Sequence, residues 1–200
     1  FAGLADDYLQ NHSRIHKKSW REDQRRLNAY LLPAFGARRI VDISRAEVVN
    51  FHRKLGKEKP YEANRVISLL SALFEYARKN EYIAWDCVNP ARLITKFRER
   101  SRAVFMKKED LPKLFAVLDR EANPYFKAFI KLTLYTAARK TELLTSKWGD
   151  VDWDQKVLRL KDSKNGQPYE IRLSESALAI LRELPRMAEN DYVFPSLDEP

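Results

Sequence analysis

Hydrophobic positions recur every three or four residues through most of the first half of the chain, which is the spacing of helices that bury one face. The clearest stretch is residues 61–82, "YEANRVISLLSALFEYARKNEY", where apolar residues follow the series i, i+3, i+4, i+7, i+8 and i+11. These residues are Val66, Leu69, Leu70, Leu73, Phe74 and Ala77. The pattern predicts one long helix with a continuous core-facing stripe.

Shorter helices are predicted before it. Apolar residues at helical spacing open the chain. Residues 17–36 carry Trp20, Leu27 and Leu31 on one face, and this helix is predicted to end near Pro33 and Gly36. Ser44 stands where a capping residue would begin a third helix, which stops at Gly56. Four helices around one core would make a bundle. We expect residues 1–95 to form a helical domain that the dipeptide Asn89-Pro90 helps to end.

Residues 96–106 are rich in basic side chains and follow directly on the predicted bundle. Four of them fall within seven residues, at Lys96, Arg98, Arg100 and Arg102. The segment is predicted to be a basic interdomain linker that follows a phosphate backbone. A solvated linker without a ligand is the alternative interpretation.

The periodicity changes within the second half, residues 107–200. Two helical stretches come first, and apolar and polar residues then alternate around residues 157–173, interrupted by Asn165 and Gly166. That alternation with a tight turn predicts small antiparallel strands. A further helix follows, with Ser174 as its cap. The fold class is therefore mainly α with a small antiparallel β-hairpin or sheet.

Composition and charge limit the classes of protein to which this chain can belong. The chain has 200 residues, 44% hydrophobic and 12% aromatic, and a net charge of +9, and it contains one cysteine. Residues 1–98 hold 19 Lys and Arg against 11 Asp and Glu, so nearly all of the excess positive charge lies in the first half. This asymmetry indicates a domain that binds a polyanion such as nucleic acid, although a merely soluble basic domain is the alternative. One cysteine excludes an internal disulfide framework and suits the cytoplasm. No apolar run approaches the length of about 20 residues that spans a membrane, and the first residues lack the basic start of a signal peptide.

Several kinds of catalytic site have no counterpart in the sequence. The five glycines are scattered singly, so there is no phosphate-binding loop, and no Ser-His-Asp order or carboxylate cluster is present. His12 and His16 share an i, i+4 spacing that can bind a metal, but no Cys or acidic pattern accompanies them. An exposed position beside the basic helix is the better interpretation of the two histidines.

A small set of cations remains as candidate chemistry. Arg139 follows the tight segment "TAA" and precedes Glu142 by one helical turn, so the carboxylate can hold the guanidinium from the side. An arginine fixed in this way can offer two parallel N–H donors to a phosphate. Lys164 stands beside the predicted turn, where its ammonium can reach into a cleft. The residues indicate a phosphate-handling site but leave binding and cutting of the phosphate backbone equally open, and a solvated Arg-Lys pair at a helix boundary is the plainer alternative.

Contacts with the phosphate backbone are expected from basic side chains of the first helices, the long helix, the linker and the start of the helix after Arg139. The candidates are Lys17, Lys18, Arg21, Asn64, Arg65, Arg100, Arg102 and Lys140. For Asn64 and Arg65, a helix cap and an ordinary surface residue are the alternative. Binding through such residues falls steeply as salt rises.

The segment "TAARKTELLTSKWGDVDW", residues 136–153, resembles the first catalytic-arginine motif of the tyrosine recombinases, the phage integrase family, T-G-x-R-x-x-E-L-L-x-L-x-W-x-D-(I/V)-D. The matching residues are Thr136, Arg139, Glu142, Leu143, Leu144, Trp148, Asp150, Val151 and Asp152. "DSKNGQPYEIRLS" resembles the β-hairpin that follows it, with Lys164 on the family's lysine. The helical half resembles the core-binding domain of the family, and residues 107–200 the first part of its catalytic domain.

Three departures from the family pattern stand out. Ala137 replaces a glycine, which is expected to stiffen or shift the turn before Arg139, and Ser146 replaces an apolar residue. No match to the family's later His-x-x-Arg pair or its nucleophilic tyrosine occurs, and Tyr192 is interpreted as a packing residue. We therefore expect the missing groups beyond Pro200 and interpret the chain as a fragment that lacks the nucleophile.

The resemblance implies a site-specific recombinase that cleaves and rejoins DNA through a 3′-phosphotyrosyl intermediate, without metal, ATP or other cofactor. It implies that Arg139 holds the phosphate, Glu142 supports Arg139, and Lys164 protonates the leaving 5′-oxygen. It further implies double-stranded DNA as partner, a tetramer on DNA in the full-length form, and integration or excision of mobile DNA. A non-catalytic DNA-binding regulator on the same fold and a purely structural helical protein are the alternatives.

Overall fold

A computed structural model describes residues 1–101, 104–160 and 167–196 of the chain. The chain divides into two compact units, Phe1–Ala103 and Val104–Pro200. Each unit has its own hydrophobic core. The structure confirms the predicted fold class, mainly α with one small antiparallel sheet.

The first unit is built from helices alone in its described part. Helices α1 and α2 are separated by a π-helical segment, Leu9–Ser13, and α3 and α4 by another, Leu27–Leu31. A short 3₁₀ turn, Ile40–Asp42, precedes the two long helices α5 and α6. The helices are α1 Ala2–Tyr8, α2 Arg14–His16, α3 Trp20–Arg26, α4 Leu32–Phe35, α5 Arg45–Gly56 and α6 Pro60–Lys79.

Helix α6 supplies the centre of the first core, as its apolar stripe predicted. All six stripe residues are buried, and they pack against apolar residues of α1, the α3–α4 segment and α5. Ser44 caps α5 as predicted, because its hydroxyl accepts the Glu47 N–H while the Glu47 carboxylate accepts the Ser44 N–H. This reciprocal capping satisfies two N–H groups that have no partner within the helix. The bundle thus follows directly from its sequence pattern.

The helical stretch ends at Phe35, as the prediction of an end near Pro33 and Gly36 required, although Pro33 itself lies inside the last turn. Helix α4 runs through Pro33 to Phe35, with Gly36 as its C-terminal cap. A proline within a helix removes one hydrogen bond and clashes with the preceding turn. The π-helical segment Leu27–Leu31 lies immediately before α4, and such wider turns change the hydrogen-bond ladder locally. The chain can therefore continue helically past the proline.

The second unit combines helices with a three-stranded sheet. A 3₁₀ turn, Lys108–Asp110, leads into the first helix, and a second 3₁₀ turn, Trp148–Asp150, leads into the first strand. The helices are α7 Leu111–Asp119, α8 Pro124–Thr136, α9 Lys140–Leu144 and α10 Glu175–Glu183, and the strands are β1 Val151–Asp152, β2 Val157–Leu160 and β3 Tyr169–Arg172. Ser174 caps α10 as predicted, by accepting the Ala177 N–H.

The sheet is antiparallel with the order β1-β2-β3. Val157 pairs with Arg172 and Leu160 with Tyr169, so the connection between β2 and β3 runs from residue 161 to residue 168. The predicted turn at Asn165 and Gly166 lies outside the described residues. The core beneath the sheet comes mainly from α8, α9, α10 and the strands. This packing fixes the start of β3 beside α9, which matters for the site.

Candidate functional site

Arg139 lies in the sharp connection between α8 and α9. Helix α8 ends at Thr136, and Ala137 adopts a left-handed conformation with φ 51° and ψ 20°. Ala138 is buried and ties the turn to the core, and Arg139 is the residue that caps α9. A left-handed residue strongly favours glycine because a Cβ atom crowds the backbone there. The structure therefore gives a physical reason for the glycine that the family pattern has at the position of Ala137.

Glu142 holds Arg139 at two points. Its Oε1 accepts a hydrogen bond from Nη1 of Arg139 at 2.6 Å, and its Oε2 accepts the backbone N–H of Arg139 at 2.9 Å. The Glu142 side chain is 5% exposed, whereas that of Arg139 is 59% exposed. The buried carboxylate thus fixes both the start of α9 and one edge of an exposed guanidinium. This arrangement agrees with the one-turn spacing that suggested the pair.

Tyr169 is a third member of the site, and the sequence reasoning missed it. Its hydroxyl donates to Oε2 of Glu142 at 2.7 Å, across 27 residues of chain. Tyr169 opens β3, and the alternation of residues 169, 171 and 173 predicted only a strand. No local signal in the sequence marks this contact. The pairing of β3 beside α9 creates it.

These contacts set the charge of the group. Burial raises the pKa of Glu142, but the hydrogen bonds from Tyr169 and Arg139 outweigh it and hold the pKa below its ordinary value. The hydrogen bond to Glu142 raises the pKa of the Arg139 guanidinium. Burial and then the hydrogen bond to Glu142 raise the pKa of the Tyr169 hydroxyl. At neutral pH the site therefore holds one buried carboxylate, one exposed cation and one neutral phenol.

The exposed guanidinium is well suited to an anionic oxygen. Its ion pair with Glu142 engages Nη1, on one edge of a planar group that carries five N–H donors. A guanidinium held on one side can present parallel donors to a phosphate on another. The neighbouring Lys140 is exposed at the first residue of α9, where a second cation can reach the same ligand. The geometry supports phosphate binding at the α8–α9 connection.

Lys164 lies outside the described residues. Leu160 and Tyr169 pair at the two ends of the connection, and Tyr169 contacts Glu142. The strand residue that follows this connection, Tyr169, therefore lies beside Arg139 and Glu142. The role of Lys164 stays a prediction.

The predicted DNA contacts of the first helices differ in their surroundings. Lys17 donates to Oδ2 of Asp23 at 2.8 Å and to the Tyr8 hydroxyl at 2.6 Å. Partial burial lowers the pKa of Lys17, but these bonds outweigh it and raise the pKa above its ordinary value. Lys17 therefore balances a buried carboxylate within the bundle. Lys18 and Arg21 are exposed, and Arg21 lies 4.7 Å from the ring centre of Trp20.

Two further cations of this set, Arg65 and Arg100, lie on or beside α6. Arg65 forms an ion pair of 2.9 Å with Glu99, and its side chain is exposed. The Arg100 side chain is exposed, while its backbone N–H and C=O both bond to the Tyr61 hydroxyl. Arg102 lies outside the described residues. These three residues stay predicted contacts with the phosphate backbone.

Asn64 requires a correction. It was predicted to contact DNA, with a helix cap as the alternative, but its side chain is buried within α6 at 1% exposure. Its Oδ1 accepts the Phe97 N–H at 2.9 Å, and its Nδ2 donates to the Phe97 carbonyl at 2.8 Å. A buried amide engaged on both atoms cannot reach a phosphate. Asn64 instead holds the predicted linker against the bundle.

Two smaller expectations from the motif also have outcomes. Ser146, where the family has an apolar residue, is buried and its hydroxyl donates to the Leu143 carbonyl at 2.6 Å. Tyr192, expected to be a packing residue, is 43% exposed and its ring lies against Lys147, so it packs at the surface and not in the core. Its neighbours Val193 and Phe194 fill the core instead.

The described part of the chain contains no group of three or more His, Cys, Asp or Glu side chains that could hold a metal ion. The rings of His12 and His16 lie 5.1 Å apart, and His12 also packs against Tyr8 and Tyr76. Burial, followed by the charges of His16 and Lys17, lowers the pKa of His12. Among the described residues, no helix is long and apolar enough to span a membrane.

Comparison with known proteins gives consistent results along the whole chain. Residues 1–95 match the model of the phage integrase central domain, and residues 104–200 match that of the phage integrase family. The prophage integrase IntZ of Escherichia coli K12 is 23% identical over 206 residues, covering 100% of this chain and 51% of that protein. The shufflon-specific DNA recombinase of Escherichia coli is 28% identical, covering 90% of this chain and 48% of that protein.

A solved structure supports the same fold. The lambda integrase tetramer bound to a Holliday junction has a TM-score of 0.77 and 17% identity, covering 98% of this chain and 59% of that chain. At this identity the likeness concerns the fold alone. The chain spans about half the length of the curated relatives it matches.

Proposed function

The chain belongs to the phage integrase family, and on this basis we propose that it is part of a tyrosine-type site-specific DNA recombinase. In this proposal the first unit holds double-stranded DNA, and the second contributes the first half of the active site. The domain roles are residues 1–95 for core binding, 96–106 for the linker and 107–200 for catalysis. A tyrosine outside these 200 residues would attack the phosphodiester and form a 3′-phosphotyrosyl bond, releasing a 5′-hydroxyl.

The observation that carries the proposal is the support of an exposed arginine by a buried carboxylate. Arg139 is 59% exposed, yet its backbone and its guanidinium are both bonded to Glu142. Donors fixed before the reaction stabilise charge on the phosphate oxygens without reorganisation as the bond breaks. Arg139 would therefore bind the non-bridging oxygens. Glu142 and Tyr169 would keep it in position.

Lys164 is proposed as the general acid that protonates the departing 5′-oxygen. The support is its match to the family's lysine and its place in the connection between β2 and β3, whose end residue Tyr169 contacts Glu142. An alkoxide is a poor leaving group, so a proton must reach the oxygen as the bond breaks. In this scheme Arg139 binds the non-bridging oxygens of the phosphate, and Lys164 supplies the proton to the leaving 5′-oxygen.

DNA is the proposed partner, and the full-length protein would act as a tetramer on it. Residues 1–98 carry 19 basic against 11 acidic side chains, which favours a polyanion. A matched relative is named a DNA recombinase, and the matched lambda integrase is a tetramer on a Holliday junction. The cytoplasm is the proposed location, because DNA is the proposed substrate and the chain has one cysteine.

The test uses the full-length protein and a suicide DNA substrate that traps the covalent adduct. Arg139→Ala should abolish the adduct, and Arg139→Lys should restore little of it, because an ammonium cannot present parallel donors. The matched control is Arg159→Ala, since Arg159 is also about half exposed and paired with carboxylates in the same unit. That variant should cleave as the natural protein does. Adduct formation by Arg139→Ala at the natural rate would refute the proposed role and favour a non-catalytic DNA-binding regulator.

A further inference from the structure

Side chains in the first turns of α6 hydrogen-bond to the backbone of residues 97–100, which follow the bundle. The Tyr61 hydroxyl lies 2.6 Å from the backbone nitrogen of Arg100, whose N–H it accepts, and donates to the Arg100 carbonyl at 2.9 Å. One phenol thus satisfies both polar backbone groups of one residue. Tyr61 is the second residue of the helix and is 44% exposed.

Asn64 repeats the same arrangement one helical turn later. Its amide bonds to both the N–H and the carbonyl of Phe97, and its Nδ2 also donates to the Glu99 carboxylate at 3.0 Å. Residues three apart lie on the same face of a helix. Tyr61 and Asn64 therefore hydrogen-bond to the backbone at two positions within residues 97–100, and the ion pair between Arg65 and Glu99 adds a third contact.

Helix α5 contacts the same segment through the side chain of Phe97. The Phe97 ring lies 4.6 Å from the His52 ring, and a Cβ atom at Gly56 would come within 2.0 Å of it. Nε2 of His52 also lies 3.2 Å from Oδ1 of Asn64. Gly56 ends α5, so the absence of a side chain there makes the room that Phe97 occupies. The segment is anchored by its ring as well as by its backbone.

Within this segment, some side chains contact the bundle while the cations are exposed. Phe97 and Glu99 are engaged with the bundle, whereas Lys96, Arg98 and Arg100 are exposed. We propose that Tyr61 and Asn64 are positioning residues that hold residues 96–100 in a fixed course, so that these three cations meet the DNA phosphates already ordered. The inference rests on the proposed DNA-binding function and assigns to this face a role that does not involve touching DNA.

The physical reason is conformational entropy. A free connector loses backbone entropy at each residue that DNA binding orders. A connector that is fixed beforehand avoids part of this cost. The positioning residues should therefore affect affinity without changing the number of phosphates contacted. The cations themselves should affect that number.

The test is a salt titration of duplex DNA binding with the 200-residue chain. The main variant is Tyr61→Phe, which removes one hydroxyl and no charge, and its matched control is Tyr82→Phe, another exposed tyrosine of the first unit. Tyr61→Phe should bind about threefold to tenfold more weakly, as expected from the loss of hydrogen bonds, with the slope of log affinity against log salt unchanged. Arg98→Ala should reduce the slope by about 0.9, the value for one phosphate contact.

Tryptic cleavage gives a second readout that does not depend on DNA. Cleavage after Arg98 and Arg100 should be faster in Tyr61→Phe than in Tyr82→Phe, because the backbone is less restrained. Asn64→Ala should show both effects more strongly, and its melting temperature reports whether the bundle still folds. If that variant does not fold, Tyr61→Phe decides the matter alone.

Each other outcome contradicts the inference in a distinct way. Equal affinities of Tyr61→Phe and Tyr82→Phe would remove the positioning role. A smaller salt slope in Tyr61→Phe would mean lost phosphate contacts instead of lost order. An unchanged slope in Arg98→Ala would mean that the cation does not contact DNA. No binding of DNA by the unaltered chain at low salt would overturn the proposed function as well, whereas the three former results leave it standing.

Discussion

Replacing Tyr169 by phenylalanine tests the part of the site that the sequence did not predict. The change deletes a single hydroxyl, which donates to Oε2 of Glu142 at 2.7 Å, and leaves the ring in place at the start of β3. The second unit should keep its fold and lose one hydrogen bond to a buried carboxylate. We expect a lower free energy of unfolding and a less firmly held Arg139.

The size of the effect follows from the surroundings of Glu142. A hydrogen bond to a charged group contributes about 1.5–3 kcal/mol. Oε2 still accepts the Arg139 N–H at 2.9 Å, so the carboxylate is not left without a partner, and the loss should lie near the lower end, about 1.5 kcal/mol. For a urea dependence of about 1.5 kcal/mol per molar, the midpoint would fall by about 1 M.

The loss should depend on pH with a definite sign. The pKa of Glu142 is held below its ordinary value, so its stabilisation is present above the unfolded-state pKa of about 4.3 and is lost as pH falls through the lower folded-state pKa. Tyr169→Phe raises the folded-state pKa toward the unfolded one. The difference between variant and natural chain should therefore be full at neutral pH and shrink below about pH 4.

The assay is urea unfolding followed by tryptophan fluorescence, since Trp148 and Trp153 report on the second unit. The matched control is Tyr125→Phe, whose hydroxyl donates to the uncharged Pro185 carbonyl at 3.0 Å and should give a loss that does not vary with pH in this range. Glu142→Gln combined with Tyr169→Phe should cost less than the two single changes together, because both remove the same contact. Additive losses, or a loss from Tyr169→Phe that stays constant with pH, would refute the reasoning.

Three further predictions concern the turn, the lysine and the charge. Ala137→Gly should stabilise the second unit by about 0.5–1 kcal/mol. The left-handed alanine costs about 1–2 kcal/mol, and part of the gain from removing that strain is offset because glycine has more conformational entropy in the unfolded chain. A lower unfolding midpoint would show that Ala137 is not strained. Lys164→Ala in the full-length protein should cleave ordinary DNA about a hundredfold to ten-thousandfold more slowly, yet cleave a 5′-bridging phosphorothiolate nearly as fast as the natural protein, since sulfur leaves without a proton. Arg139→Ala should gain much less from the sulfur, and equal rescue of both variants, or of neither, would exclude the general-acid role. Duplex binding by the 200-residue chain should weaken steeply with salt, and a flat salt titration would contradict binding through phosphates.

Features that depend on neighbouring residues along one helix or strand could be predicted from the amino-acid sequence alone. The apolar stripe from Val66 to Ala77 defines the buried face of α6, and Ser44 and Ser174 cap their helices. The one-turn spacing of Arg139 and Glu142 gave their ion pair. Helix periodicity and capping are local, so a single segment contains all the information that they need.

Contacts between groups that are far apart in the sequence depend on how the helices and strands pack. Tyr169 reaches Glu142 because β3 packs beside α9, and Asn64 faces the Phe97 backbone because the chain returns to α6 after 33 residues. The burial of Asn64 removed it from the predicted DNA contacts, and the left-handed turn at Ala137 became visible only in the backbone angles. A polar side chain bonds to whatever partner the packed chain brings within about 3 Å, and no spacing along the sequence records that partner.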